Sequence, residues 1–144
     1  MKKLILHLAV CAATITAPQL AFALDIPKSG QYDSRVKFVR YNPSDVVKII
    51  GHYGFSTHIQ FSPTETIESI HLGDELAWKH HMTRNHLFLK PIEDDADTNL
   101  TVITNQRSYN IELLAREPKN IRSSKMYFQV NFRYPDEEAA KKKA

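Results

Sequence analysis

Beyond residue 23 this chain has no cysteine, because its single cysteine is Cys11. The remainder therefore holds no disulfide, no thiolate metal site and no cysteine nucleophile. Glycine is scarce as well, at four residues, and neither a phosphate-cradling glycine loop nor a Gly-x-Ser-x-Gly elbow occurs. After the N-terminus no apolar run approaches the roughly 20 residues that a membrane-spanning helix needs. Charge of one sign is also lacking. The formal net charge is +3, but Lys2 and Lys3 belong to the N-terminal segment, which leaves 17 of the 19 basic residues against 16 acidic ones, a net charge of +1. The two signs are interspersed along the chain, and without a basic stripe no direct nucleic-acid contact is expected.

The N-terminus itself has the three parts of a secretory signal. Lys2 and Lys3 form a positive start, Leu4 to Ile15 a mostly apolar stretch, and Ala21-Phe22-Ala23 places small residues at the two positions that a signal peptidase reads. Cleavage is expected between Ala23 and Leu24. Cys11 follows Leu8-Ala9-Val10, but Val10 stands where a lipid-modified cysteine is preceded by a small residue, so lipidation is not expected.

About 120 residues follow, enough for one ordinary core. Asp25 to Ser34 contains Pro27, Ser29 and Gly30 and has no apolar period, so residues 24–34 are read as an extended arm. From residue 35 to 134 short β-prone runs alternate with turn residues. Strands are predicted at Val36–Tyr41, Val46–Ile50, Thr57–Phe61, Thr66–Leu72, Leu87–Lys90, Leu100–Thr104, Tyr109–Leu114 and Tyr127–Tyr134, with a further short one around Trp78. The period of two is clearest where Phe128, Val130, Phe132 and Tyr134 alternate with Gln129, Asn131 and Arg133. Turns are expected at Asn42-Pro43-Ser44-Asp45, Gly51 to Gly54, Ser62-Pro63-Thr64 and Asn105-Gln106-Arg107, the last able to close a hairpin. With no sustained helical repeat, the pattern points to an all-β fold, an antiparallel β-sandwich of about eight short strands. Residues 135–144, opening Pro135-Asp136-Glu137-Glu138 and closing on lysines, read as a charged, helix-prone linker, and the natural chain is expected to continue past Ala144.

Chemistry has few candidates. His52, His58, His71, His80, His81 and His86 show no familiar zinc-ligand spacing, and His58 and His71 fall on the polar faces of their strands, so surface imidazoles are the expectation. Asp95-x-Asp97-x-Asn99 starts like a calcium loop, but Leu100 and Gln106 replace the required glycine and glutamate; a solvated acidic loop is expected there. Asn99-Leu100-Thr101 fits a glycosylation pattern, yet Leu100 looks like a core residue. Trp78 is either an anchor for a partner or, as favoured here, a core aromatic. No catalytic residue, cofactor site or metal site is identified, and the chain is not read as an enzyme.

Read in order, several segments resemble the N-terminal domain of the TrbG/CagX conjugal-transfer family, periplasmic subunits of the type IV secretion outer-membrane core complex. They are Tyr41-Asn42-Pro43-Ser44-Asp45-Val46-Val47, Gly54 to Phe61, Glu65-Thr66-Ile67, Leu72-Gly73-Asp74 leading to Trp78, and Asn85 to Pro91. Thr98 to Val102, Arg107-Ser108-Tyr109 and Phe132-Arg133-Tyr134-Pro135 complete the series, which covers residues 33–138. Thr64 departs from the glycine that the family often has before this glutamate. The resemblance implies a structural subunit whose N-terminal domain packs beside copies of itself in a periplasmic inner-layer ring. It also implies a neighbouring segment of the inner-membrane-spanning subunit as a partner. An outer-membrane lipoprotein would be met only through a C-terminal domain absent from this chain. The alternative reading is a free-standing periplasmic binding module for a peptide or cell-wall component. Strand addition through the arm, Leu24 to Ser34, is one way such a ring is joined. N-terminal sequencing of the exported protein is expected to begin Leu24-Asp25-Ile26, and Ala23→Asp is expected to leave the precursor uncleaved on a gel.

Overall fold

The computed structural model describes residues 24–144; the leader 1–23, with Cys11 and the Ala23 side of the expected cleavage site, lies outside the described residues. Eleven strands precede one helix. They are β1 (Leu24–Asp25), β2 (Lys28–Ser29), β3 (Val36–Arg40), β4 (Val46–His52), β5 (Thr57–Gln60), β6 (Ile67–Leu72), β7 (Trp78–Thr83), β8 (His86–Pro91), β9 (Thr98–Thr104), β10 (Ser108–Arg116) and β11 (Gln129–Arg133), followed by α1 (Pro135–Lys143). The predicted strands are thus present with ends shifted by a few residues, and the arm adds β1 and β2.

The strands form two sheets, in the orders β1-β4-β10-β9-β6 and β2-β3-β11-β5-β8-β7. One apolar cluster draws on both, with Ile49, Leu100, Val102, Ile111 and Leu113 from the first and Ile59, Leu87, Leu89 and Val130 from the second. Burying each such aliphatic side chain contributes about 1.5–3 kcal/mol. The expectation of a purely antiparallel arrangement is corrected. β4 runs parallel to β10, and β11 runs parallel to both β3 and β5, while β9–β10, β6–β9, β5–β8 and β7–β8 are antiparallel. The cause is the route of the chain. β3, β4 and β5 lie in alternate sheets, so each connection crosses the core instead of folding back as a hairpin. Strands two apart then share a sheet and a direction. Connections of four or five residues permit either route, and residue pattern does not separate them.

Local chemistry explains the turns. Thr104 N–H donates to the Arg107 carbonyl at 2.9 Å, closing the expected hairpin at Asn105–Arg107. A second hairpin turns at Arg84-Asn85, where Arg84 takes φ +54° in the left-handed region that two-residue hairpin loops require. Gly54 (φ +83°) is the true turn residue after β4. Gly51, also expected in that turn, sits inside β4 against the buried Trp78 ring. A Cβ there would lie 2.7 Å from the indole and 3.3 Å from Pro91.

The buried Lys37 is a second departure from the pattern. Its ammonium donates to the Ser124 carbonyl (2.6 Å), the Ser34 carbonyl (2.8 Å) and Ser29 Oγ (3.5 Å), and lies 4.8 Å from the centre of the Tyr127 ring. It pins the arm and the connection before β11 to β3, and burial pushes its pKa down. Gly51→Ala is expected to lower unfolding stability by about 1–3 kcal/mol, read as an earlier midpoint in urea, with Gly54→Ala the control for backbone strain without overpacking.

Candidate functional site

Glu65 follows the Ser62-Pro63-Thr64 turn and is buried, with its side chain fully shielded. Its Oε1 accepts from Thr104 Oγ1 (2.7 Å), and its Oε2 accepts from Tyr109 Oη (2.7 Å) and the Ser62 N–H (3.2 Å). Tyr109 uses its hydroxyl hydrogen to donate to this carboxylate, so Tyr134 Oη, 2.8 Å away, donates to Tyr109 and accepts the Ser62 N–H at 2.8 Å. Each buried polar atom in the relay thereby has a partner. Burial and the facing Tyr134 hydroxyl push the Tyr109 phenol far above its usual pKa.

Arg107 closes the network at 3.4 Å from Glu65 and stacks 4.3 Å from the centre of the Tyr134 ring. It also reaches α1, bonding Asp136 at 2.9 Å and Glu137 at 3.2 Å, while Ser62 Oγ donates to Glu137 at 2.7 Å. Burial opposes the Arg107 charge, but the Asp136 hydrogen bond and the Glu65 charge outweigh it and raise the pKa. Pro135 opens the helix where a missing N–H costs nothing, and its acidic first turn suits the helix dipole. The helix therefore leaves the domain in a fixed direction although none of its residues is buried. Sequence reading took Glu65 only as part of a family-like segment. The available signal was the Ser-x-x-Glu spacing at Ser62–Glu65, a pattern in which backbone and carboxylate satisfy each other.

The other candidates are placed as follows. Trp78 is a core residue, 2% exposed, with Nε1 donating to the Ala96 carbonyl at 2.7 Å. Asp97 accepts from the Ala115 N–H (2.9 Å) and pairs with Arg116 (2.6 Å), which holds its pKa down; it clasps the end of β10. Glu93, Asp94 and Asp95 are exposed around the buried Ala96, so the acidic loop is a lid over Trp78. Asn99 is exposed on β9 between the buried Ala96 and Leu100 regions. His71, His80 and His81 are exposed as expected, but His52 is buried, and burial lowers its pKa. His58 and His86 are brought together, Nε2 to Nδ1 at 2.9 Å, with His58 stacked on Phe88 at 4.7 Å. Among the described residues no group of three or more His, Cys, Asp or Glu side chains is placed to hold a metal ion. Leu24, the residue after the expected cleavage point, opens β1 on the edge of β4.

The fold also sorts charge. None of the six strands of the second sheet contains Asp or Glu, and its outer face presents Lys28, Arg40, Arg133, Lys79 and Lys90 with His58, His81 and His86. Among the described residues no helix is long and apolar enough to cross a membrane. Replacing Glu65 with alanine strands Thr104, Tyr109 and Arg107 and is expected to cost about 3–5 kcal/mol of stability. Asp136→Ala, at the exposed end of the network, is expected to leave the urea midpoint nearly unchanged. Parallel urea titrations check both.

Residues 34–144 match the CagX family, described as conjugal transfer protein. The chain is 36% identical over 148 residues to the type IV secretion system protein virB9 of Bartonella henselae, covering 99% of this chain and 51% of that protein. It is 33% identical to the virB9 protein of Brucella melitensis, covering 94% of this chain and 50% of the relative. To the type IV secretion system protein PtlF of Bordetella pertussis it is 31% identical, covering 86% and 52%. The chain thus spans about half the length of the curated relatives it matches. On these matches the chain belongs to the VirB9/CagX/TrbG family of type IV secretion system periplasmic subunits.

Proposed function

We propose that this chain is a structural, non-catalytic subunit of a type IV secretion channel, its β-domain forming part of the periplasmic inner-layer ring of the outer-membrane core complex. The family match over residues 34–144 carries this reading. In it, residues 1–23 direct export, residues 24–34 are an arm, residues 35–134 are the packing unit, and residues 135–144 lead away from it. The neighbours are copies of the same domain and a segment of the inner-membrane-spanning subunit. An outer-membrane lipoprotein is reached only through a C-terminal domain outside this chain.

One feature of the domain supports a scaffold role. The network around Glu65 and Arg107 holds the first turn of α1 against the sandwich, so a following segment is aimed and not free. Rigid aim suits a part that must present the same faces in every copy of a symmetric assembly. A binding module calls instead for a concave apolar site with converging polar groups. The grooves beside the arm, bordered by Lys28, Gly30, Phe38 and Arg133, are where a ligand for such a module would be sought.

Affinity purification of the tagged full-length protein from cell envelopes, followed by particle imaging, is expected to return ring-shaped particles containing the inner-membrane-spanning subunit. Recovery as a lone monomer contradicts the reading.

A further inference from the structure

The two sides of the sandwich are treated differently. The arm runs along one side, laying β1 against β4 and β2 against β3 through two residues each. Because β1 and β2 are joined by just Ile26 and Pro27, these two covered edges lie on the same side. The edge strands at the other end of the two sheet orders are β6 and β7. β6 is broken by a register shift between Ile67 and Ser69, a device that blunts an edge. β7 has none. It pairs with β8 through six consecutive residues, leaves its outer backbone groups unpaired, and exposes every residue after Trp78.

The side chains on these two sides are complementary. Around the arm side Leu24 (39% exposed), Ile26 (54%) and Val46 (40%) form an exposed apolar strip, flanked by Asp25 and Asp45. The β7 side presents Met82 (40% exposed) among Lys79, His80, His81 and Arg84. Among the described residues neither the two aspartates nor Lys79 and Arg84 take part in an ion pair. A free, regular strand edge bordered by cations thus matches an extended apolar segment bordered by carboxylates, and both belong to one chain.

We propose that the arm side of one copy docks on the β7 edge of the next, with the segment Leu24–Ile26 extended along Lys79–Thr83. Ile26 and Leu24 lie against Met82, and Asp25 and Asp45 meet Lys79 and Arg84. The two surfaces differ, so the contact is heterologous and repeats around a ring. Main-chain pairing supplies affinity and the side-chain match supplies register. This inference rests on the ring reading above and names the contact that builds it.

Residues 24–144 contain no cysteine, so cysteines introduced there report on this contact once any cysteine outside them has been replaced. Ile26→Cys with Met82→Cys, both exposed positions, is introduced into the full-length protein and oxidised in intact cells. The expected result is a ladder of dimers, trimers and larger species on non-reducing gels, whereas either single variant stops at dimers. A charge test accompanies it. Lys79→Glu with Arg84→Glu is expected to weaken assembly roughly tenfold or more, since like charges placed in contact oppose docking. Adding Asp25→Lys and Asp45→Lys is expected to restore it. Ring particles without the ladder, or indifferent to the charge swap, overturn this contact and leave the ring reading intact. Monomers without particles, before any substitution, overturn both.

Discussion

The carboxylate of Glu65 is the constraint on which one end of the molecule depends. A charged group without solvent contact is tolerable only when its acceptor sites are filled and a cation is near. Here the donors come from Ser62, Thr104 and Tyr109, and the cation is Arg107. These residues belong to the β5–β6 turn, the β9–β10 hairpin and the strands beside it, so satisfying one carboxylate brings both sheets together. Tyr134 and Arg107 then extend the same network to the start of α1. What happens in a buried turn thus decides the direction in which the chain leaves the domain.

A domain without cysteine relies on packing and pairing alone. The crossing route of β3, β4 and β5 places residues far apart in sequence side by side, as with Gln129 beside Val36 and His58. Such pairings cost chain entropy before they stabilise anything. Several polar fasteners offset this where apolar contact ends. Lys37 joins the arm to the connection before β11, Asp97 clasps β10, and the Trp78 indole bonds the lid at Ala96. Gly51 belongs to the same set, since the indole packs where a side chain would otherwise stand.

For a scaffold, function lies in what the outer surface offers to neighbours and in how rigidly it is held. The second sheet offers cations and imidazoles, the arm side offers aliphatic residues and aspartates, and β7 offers a regular edge. A single domain with unlike surfaces is suited to head-to-tail repetition, because one surface of each copy meets a different surface of the next. On the outer face of the second sheet His58 and His86, far apart in sequence, are brought into contact by strand pairing.

Strand positions, the turn at Asn105–Arg107 and the helix at residues 135–143 were readable in the residues themselves, because alternation, turn chemistry and helix propensity act over a few neighbours. The family was readable too, from an ordered series of short segments. Parallel pairing was not, because a five-residue connection such as the one from Tyr41 to Asp45 serves a hairpin or a crossing equally well. Interspersed charges in the linear order concealed a sheet whose strands hold no carboxylate. Burial of Glu65, Lys37 and His52 could not be seen for the same reason: a polar residue goes inside only when partners from distant segments meet it there, and those partners are chosen by the packed fold.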